Sequence, residues 1–441
     1  MVSSISRFKY LQSGSWLIFE QALRVAFSSL YILLLARYLG PNDFGIFIYA
    51  LTIIGIIKVF INFGVEDILV KMIGMNPSNF KEYLSAALYL KIFINFIFFT
   101  LFLLIYLLGL NESFVLFALI ILLALNFFST FEVIGFYYES QVQGKKIASC
   151  KIAQLIAVAS VKIYFLINEY DLIFFIIAYG LEFFFLGIFY CISFKKYLKE
   201  FLFNSFKTSN LKKIYLDSFG YLIIGIIGVL FVRVDQLMLK NLLDYEQLGY
   251  FGLTVRFTDV LFVLAIIFAK TIFPLMIENS KNEKEYNLFL KRIFIGIVWL
   301  CSIISFLIIY VGNYIVNTFL PESNYVASFN VLIIYIWILI PYFYNQITYR
   351  WLMIKNRVKD NLIRLLCGLI INFTLNFILI PIYGIYGAAF STLMSFLFVG
   401  FLVDIFFNYS RKLFILKLQS FNPLNIFELF VYYKKILRKK T

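Results

Sequence analysis

Residues 86–108 read AALYLKIFINFIFFTLFLLIYLL, a run of 23 residues in which Lys91 is the one charged side chain. About 20 apolar residues in an α-helix are enough to cross the roughly 30 Å hydrocarbon layer of a membrane. The helices of a water-soluble core need a polar face and do not use apolar runs of this length. The stretch therefore predicts a membrane-spanning helix.

The rest of the chain repeats this pattern. Of its 441 residues, 62% are hydrophobic and 14% are charged, whereas soluble domains average about 45–50% and about 25%. Twelve apolar stretches are long enough to cross a bilayer, and they lie near residues 15–36, 44–64, 86–108, 114–136, 152–167, 172–194, 215–239, 249–273, 293–312, 327–349, 365–381 and 384–407. We predict an all-α polytopic membrane protein with twelve transmembrane helices.

Two residue types narrow the chemistry. The chain contains no histidine, which excludes His-based acid–base catalysis, the Ser-His-Asp triad and histidine metal sites. The four cysteines are scattered and form no C-x-x-C motif: Cys150, Cys191, Cys301 and Cys367. This spacing indicates neither a zinc site nor a disulfide framework, and we expect neither a cofactor nor a metal.

Basic residues are distributed unevenly between the loops. Counted from the N-terminus, alternate segments hold 30 Lys and Arg, whereas the other loops hold only Arg37 and Lys240. Short loops rich in Lys and Arg remain on the cytoplasmic side of a membrane. We therefore expect both termini to be cytoplasmic. Most of the net charge of +15 is then explained by topology and by contact with anionic membrane lipid, and we expect no nucleic-acid partner.

A weak internal repeat divides the spans into two sets of six. Leu39-Gly40-Pro41 and Gly45-Ile46-Phe47, after the first span, are echoed by Leu248-Gly249-Tyr250-Phe251 after the seventh, at an offset of 203 to 204 residues. Six spans return the chain to the same side of the membrane, so the halves are expected to be parallel repeats. Transporters built in this way bind substrate where the repeats meet.

The predicted domain organisation follows from this division. We predict two parallel six-helix lobes around a central cavity, with the N-terminal lobe at 1–200, a cytoplasmic linker at 201–214, the C-terminal lobe at 215–407 and a basic cytoplasmic tail at 408–441. The tail alternates bulky apolar residues with lysines, which favours an interfacial helix on the inner leaflet. A disordered basic tail is the alternative.

Charged side chains within the spans indicate a functional interior, because such groups are costly in lipid and normally face a polar cavity or a partner. Five basic residues lie in the first two spans of each half: Arg24, Lys58, Arg233, Arg256 and Lys270. Three acids share those spans: Glu20, Asp235 and Asp259. We predict that the basic residues line a cavity for a phosphate-bearing or acidic substrate, with the acids as charge partners or coupling groups.

Helical spacing leaves a plainer explanation open for two of these pairs. Glu20 and Arg24 are four residues apart, and Arg256 and Asp259 are three apart. Each pair can therefore be an intrahelical ion pair that lowers the cost of membrane insertion.

Three other charged residues within spans are assigned to no binding site. Lys91 and Lys162 lie near span ends and are expected to extend their amines to the membrane interface. Glu132 is expected at most to pair with a neighbouring span. On the seventh span, helical spacing turns Asp235 away from the face that carries Arg233.

Three motifs resemble those of Wzx-type O-antigen and polysaccharide flippases. The stretch RYLGPNDFGIF at residues 37–47 is similar to the family motif after the first helix. VDQLML at residues 234–239, followed by LGYF at 248–251, resembles its seventh-span motif, and Ile380–Thr392 resembles its I-P-x-x-G-x-x-G-A-A-x-A-T segment. The resemblance extends over essentially the whole chain.

This family belongs to the multidrug/oligosaccharidyl-lipid/polysaccharide (MOP) exporter superfamily. The resemblance implies a V-shaped two-lobe fold and alternating access. It implies transport of undecaprenyl-diphosphate-linked oligosaccharide from the cytoplasmic to the periplasmic leaflet of the bacterial inner membrane, for a glycan such as O-antigen or capsule. Arg24 and Arg256 match, by span and depth, basic residues that line the cavity of related lipid-linked-sugar flippases. A glycan polymerase and a chain-length regulator are the implied protein partners.

One departure from the family concerns the fourth span. The family often has a proline early in that span, whereas residues 126–132 contain none. Since proline interrupts a helix, its absence bears on whether the fourth helix is kinked.

Two other functions fit the sequence less well than transport of a lipid-linked glycan. A multidrug or cation antiporter of the same superfamily needs an acidic cavity, whereas the predicted set is net positive. A glycan polymerase or ligase needs a sizeable outer loop, and the longest one here, near Asn313–Val326, has Glu322 as its single charge. We therefore predict a membrane transporter rather than an enzyme.

Overall fold

The computed structural model describes residues 4–109, 113–204, 206–319 and 325–425. These residues form helices and contain no strand, which confirms the predicted all-α class. The α-helices, in chain order, are α1 Ser4–Asn62, α2 Val65–Met75, α3 Phe80–Leu107, α4 Phe114–Asn126, α5 Val133–Ser140, α6 Gly144–Ile167, α7 Leu172–Ser193, α8 Lys195–Lys199, α9 Thr208–Leu242, α10 Tyr245–Asn279, α11 Glu283–Phe319, α12 Val326–Tyr335, α13 Leu339–Ile354, α14 Val358–Tyr383, α15 Ile385–Gly400 and α16 Arg411–Gln419.

Eleven helical stretches within the described residues are long and apolar enough to cross a membrane. The first, Gln12–Met75, is 64 residues long and contains the first two predicted spans. The twelve predicted spans therefore fall on these eleven stretches, and the protein is a multi-pass membrane protein. The predicted outer loop at residues 313–326 is shorter than expected, because α11 continues to Phe319; residues 320–324 lie outside the described part of the chain.

Gly40 breaks α1 between the first two predicted spans. Its backbone has φ 72° and ψ 171°, and Pro41 follows it. A proline disfavours the helical conformation for the residue before it, and glycine adopts positive φ without steric cost. The Gly-Pro pair of the first motif therefore supplies the turn that the sequence predicts here.

The described residues form two compact units. The first is built from the chain up to Leu39 and from Ile46 to Leu230, and the second from Gly40–Gly45 together with the chain from Phe231 onward. Six residues from the first half of the sequence thus belong to the second unit. The lobe boundaries predicted from the sequence, at residues 200 and 215, remain predictions. A short π-helix, Glu200–Asn204, follows α8. The segment predicted as a linker, 201–214, contains the end of this π-helix and the first turns of α9.

Within the second unit, Gly45 and Gly249 make a reciprocal close contact. A Cβ atom on Gly45 would lie 1.7 Å from the backbone oxygen of Tyr245, and one on Gly249 would lie 1.9 Å from the backbone oxygen of Pro41. Only glycine permits two backbones to approach this closely. Both the Pro41/Tyr245 pair and the Gly45/Gly249 pair are 204 residues apart in sequence, which supports the internal repeat.

In the first unit, the fourth predicted span is interrupted although it has no proline. Residues Phe127–Glu132 form a 3₁₀ segment between α4 and α5. The Ser129 hydroxyl donates to the Asn126 backbone oxygen at 2.8 Å, and the Thr130 hydroxyl donates to that of Phe127 at 2.6 Å. Such local bonds compete with the α-helical pattern. A 3₁₀ segment at Ile336–Ile338 also interrupts the tenth predicted span, and there a proline, Pro341, follows three residues later.

The first part of the predicted tail forms α16, which docks on the second unit. Lys417 donates from Nζ to Asp404 Oδ2 at 2.6 Å and to Thr348 Oγ1 at 2.8 Å. Arg364 Nη1 donates to the other oxygen of Asp404 at 2.6 Å, and the side chains of Arg364, Asp404 and Lys417 are all 0% exposed. This part of the tail is therefore an ordered helix; residues 426–441 of the predicted tail lie outside the described residues.

Candidate functional site

Arg24 joins two helices of the first unit. Its Nε donates to Glu20 Oε1 on α1 at 2.7 Å, and its Nη2 donates to Gln154 Oε1 on α6 at 3.0 Å. The Glu20 side chain is buried, whereas that of Arg24 is 27% exposed. The intrahelical ion pair that spacing allows is therefore present. Arg24 makes an additional contact with α6, and its partial exposure leaves part of the guanidinium accessible.

Lys58 lies against an aromatic ring of the same unit. Its Nζ is 4.1 Å from the centroid of the Phe183 ring on α7, a distance at which the ring face attracts a cation. The lysine is half-buried.

Two arginines of the second unit share one carboxylate. Arg233 Nη2, on α9, donates to Asp259 Oδ2 on α10 at 2.8 Å, and Arg256 Nη1 lies 3.7 Å from the same oxygen. The nearest partner of Asp259 is thus on another helix, so the intrahelical explanation accounts for the weaker contact only. All three side chains are 21–24% exposed. These three side chains alone sum to one positive charge, and Asp235 is within electrostatic reach of Arg233.

Asp235 and Lys270 do not join this group. Asp235 is 1% exposed, and its carboxylate accepts from the Gln236 backbone N–H at 2.7 Å and from the Thr392 hydroxyl at 3.2 Å. Its side-chain partner is on α15, and Arg233 is within electrostatic reach of it. That Asp235 turns away from the face of Arg233 stays a prediction. Lys270 lies farther along α10 and is exposed.

Sequence reasoning missed the polar side chains that surround Asp235. Asn372 Nδ2 donates to Thr392 Oγ1 at 3.3 Å, and Asn376 Nδ2 donates to Asn372 Oδ1 at 2.7 Å. These three residues are fully buried between α14 and α15. The signal was present, because two asparagines four residues apart in an apolar span lie on one helix face. Together with Asp235 they form a buried cluster rich in oxygen atoms.

The prediction that Lys91 and Lys162 reach the membrane interface is wrong. Lys91 is 0% and Lys162 is 7% exposed. Lys162 forms an ion pair with Glu182 of α7, and its Nζ lies 4.7 Å from the centroid of the Tyr31 ring. A lysine near a span end turns inward when a neighbouring helix offers an acid at its depth, and sequence position alone does not show this.

The interior of the first unit thus contains basic side chains with acidic and aromatic partners. In the second unit, two arginines share the carboxylate of Asp259. The sequence matches the polysaccharide biosynthesis protein family over residues 10–280. The chain belongs to the polysaccharide biosynthesis protein family. This confirms the resemblance seen in the motifs, of which those at residues 37–47 and 234–251 lie inside the matched region.

Similar proteins match this family member over nearly its whole length. It is 25% identical over 405 residues to the capsular polysaccharide biosynthesis protein CapF of Staphylococcus aureus, covering 87% of this chain and 94% of that protein. Among solved structures, an inward-facing multidrug resistance MATE family transporter of the MOP superfamily has a TM-score of 0.69 at 12% identity, covering 90% of this chain and 96% of the other. The lipid II flippase MurJ, in an inward closed conformation, has a TM-score of 0.67 at 15% identity, covering 96% and 93%. The protein therefore has the MOP transporter fold.

Proposed function

We propose that the protein is a flippase that moves undecaprenyl-diphosphate-linked oligosaccharide repeat units from the cytoplasmic to the periplasmic leaflet by alternating access. Family membership and the MOP fold support a transporter in polysaccharide biosynthesis. The observation that carries the proposal is the arginine pair Arg233 and Arg256, which shares the single carboxylate of Asp259 within the membrane-spanning helices. In this proposal, the diphosphate of the substrate binds beside these two arginines.

The chemistry of the guanidinium group fits such a ligand. Arginine offers paired N–H donors that match two phosphate oxygens. Arg233 Nη1 is buried and has no hydrogen-bond partner among the residues that the structure describes, so a donor is available. In the first unit, the partly exposed Arg24 and Lys58 supply further positive charge. We propose that these four residues, with Lys270, line a cationic cavity while the lipid tail remains in the bilayer.

The proposed location is the bacterial inner membrane with both termini in the cytoplasm. The distribution of 30 basic residues in one set of segments against two in the other supports this orientation. Anionic lipid is then the partner of the basic loops. A glycan polymerase and a chain-length regulator act on repeat units after they reach the periplasmic leaflet.

The test is a strain that lacks this protein and carries a conditional early sugar transferase to limit toxicity. We expect loss of surface polysaccharide, with intact lipid-linked repeat units retained in the inner leaflet, as measured by leaflet-specific labelling. Repeat units that reach the outer leaflet without being polymerised contradict the flippase and indicate an enzyme of chain extension. Normal surface glycan contradicts both functions.

The alternative is a multidrug or cation antiporter of the same superfamily, which the fold of the MATE transporter also fits. A cationic substrate needs an excess of acid, whereas the predicted cavity residues are five basic side chains against three acids. Direct efflux of cationic dyes from the same strain separates the two functions. If the antiporter is correct, dye efflux falls in the deletion strain and surface glycan stays normal.

We further propose that Asp235 binds the coupling proton or monovalent cation. Its buried carboxylate lies beside the hydroxyl of Thr392, with the amides of Asn372 and Asn376 behind it. We expect Asp235→Asn to reduce gradient-driven transport in vesicles at least about tenfold, because the amide removes the charge that attracts the ion. Exchange of labelled substrate without a gradient should persist. Glu278→Gln, an equal loss of charge at an exposed position on α10, is the control. Unchanged dependence on both sodium and proton gradients contradicts this assignment.

A further inference from the structure

The partly exposed face of α13 is polar. Between Leu339 and Met353, the partly exposed residues recur at intervals of three and four, and they are Tyr342, Gln346, Tyr349, Arg350 and Met353. Residues with this spacing share one face of an α-helix. A helix face that meets lipid is apolar, because an amide or a guanidinium is costly in hydrocarbon. This face of α13 therefore borders a polar cavity.

Two contacts place this face along α10. The ring of Tyr342 is stacked on that of Phe262, with centroids 4.0 Å apart and an angle of 13° between the planes. Further along both helices, the guanidinium carbon of Arg350 lies 5.5 Å from the centroid of the Phe273 ring. Phe262 is one turn of α10 from Asp259, and Tyr342 is within electrostatic reach of that carboxylate. Tyr342 is therefore next to the acid that the two arginines share.

The stacked pair of rings has one open side. Phe262 is 5% exposed, whereas Tyr342, which covers it, is partly exposed. The Phe396 ring packs against the pair at a centroid distance of 5.8 Å from Tyr342, so Tyr342 is held in place before any ligand binds. The face of an aromatic ring is electronegative and attracts the C–H groups on the apolar side of a pyranose. The exposed part of Tyr342 is therefore a surface on which a sugar ring can stack.

Arg350 adds hydrogen-bond donors to the same face. In the part of the chain that the structure describes, its partners are the Met353 sulfur, 3.4 Å from Nη1, and the rings of Phe273 and Tyr349, 5.5 and 5.3 Å from the guanidinium carbon. No carboxylate is among them, so N–H donors remain for a ligand oxygen. Gln346 lies between Tyr342 and Arg350, and its amide both donates and accepts. Rings, an amide and a guanidinium together match the hydroxyls and apolar faces of a glycan.

We propose that this face of α13 binds the glycan of the substrate, with Tyr342 stacked on the sugar next to the diphosphate and Gln346 and Arg350 hydrogen-bonded to the sugars beyond it. The inference rests on the proposed function, since the arginine pair must hold the diphosphate. Tyr342 and Arg350 are eight residues apart, which is about 12 Å along the helix, so the surface extends over more than one sugar. The protein then recognises a lipid-linked oligosaccharide and not only its lipid diphosphate.

The test compares the binding of two lipids to the full-length protein, by native mass spectrometry over a series of lipid concentrations. One lipid is undecaprenyl diphosphate, and the other is the lipid-linked repeat unit isolated from the deletion strain. We expect the wild-type protein to bind the repeat unit about three- to tenfold more tightly, the effect of one stacked ring. In Tyr342→Leu this preference should fall below about twofold, while undecaprenyl diphosphate binds as it does to wild type.

Matched variants separate stacking from a structural role. Tyr342→Phe keeps the ring and should keep the preference for the repeat unit. Tyr342→Met has no ring and should lose it, and this variant replaces Tyr342→Leu if the leucine variant is not recovered in folded form. Tyr409→Leu is the control, because Tyr409 is stacked on Trp351 with 14° between the planes and is partly exposed, but lies beyond the last predicted span. We expect it to keep the preference.

Three results overturn the inference and leave the flippase proposal standing, provided that Arg233→Ala weakens binding of both lipids. The first is equal binding of the two lipids by wild type, and the second is a preference that persists in Tyr342→Leu. The third is an equal loss of affinity for both lipids in Tyr342→Leu, which would mean that the ring supports the diphosphate site. If wild type binds neither lipid, or the deletion strain retains no repeat units, the inference fails together with the proposed function.

Discussion

Replacing Arg24 or Arg256 with alanine is expected to reduce glycan translocation about ten- to a hundredfold, the effect of losing one charge-assisted hydrogen-bonding group worth about 1.5–3 kcal/mol. The double variant should have no measurable transport. Each arginine is partly exposed and pairs with an acid, and in the proposed function a diphosphate binds beside it. Arg→Lys variants keep the charge but lose the paired donors, and should retain intermediate activity. Leaflet-specific labelling of repeat units, scaled to protein level, measures the effect.

Arg357→Ala provides the matched control. Arg357 lies 3.3 Å from Asp360 with the same three-residue spacing as Arg256 and Asp259, but it is 51% exposed and outside the predicted spans. We expect its removal to leave transport unchanged. Normal transport in both Arg24→Ala and Arg256→Ala would mean that the cationic residues only assist insertion, and the assignment of the cavity would be wrong.

Asp404→Asn is expected to cause the largest loss of stability in the molecule. Asp404 is the acid between Arg364 and Lys417, and all three side chains are 0% exposed. Removing one partner of a buried ion pair costs about 3–5 kcal/mol, because the remaining charge is left buried and unpaired. This loss is a large fraction of a typical total stability of about 5–15 kcal/mol. Yield in the membrane and the midpoint of thermal unfolding in detergent should both fall sharply.

Glu283→Gln is the control for that variant. Lys412 of α16 pairs with Glu283 at 2.6 Å, the same distance as in the buried pairs, but both side chains are about 70% exposed. Water and salt screen such a pair, so we expect no measurable change in the midpoint. Equal losses from Glu283→Gln and Asp404→Asn would show that α16 is held by contact alone, and that burial of the charges is not the cause.

The spans were predictable because each one is a local property of the sequence. An apolar run such as residues 86–108 can be identified as a span without knowing which helices pack beside it. The Gly40-Pro41 turn follows from the backbone preferences of two adjacent residues. The 3₁₀ segment before Val133 was harder. It depends on the hydroxyls of Ser129 and Thr130, which donate to backbone oxygens three residues earlier. No proline in this part of the sequence indicates the interruption.

Partners across helices were not predictable in the same way. The spacing of Arg256 and Asp259 is visible in the sequence, yet Arg233, 26 residues before Asp259, is the nearer partner. Lys162 meets Glu182 across two helices, which reversed the expectation for that lysine. Pairs of this kind depend on how helices are rotated against one another, and a single sequence carries little information on rotation.

The contact between Gly45 and Gly249 also affects how the protein is made. Residues 40–45 leave the ribosome long before the rest of the second unit, to which they belong, and domains fold in the order of synthesis. The second unit can therefore be completed only when α10 packs against residues 40–45, after the first two spans have been inserted. A chain cut between the halves would yield a C-terminal fragment that lacks six of its own residues and leaves the Gly249 face uncovered. The sequence predicts two repeated halves, yet the second unit takes six of its residues from the first half of the chain and depends on them for its assembly.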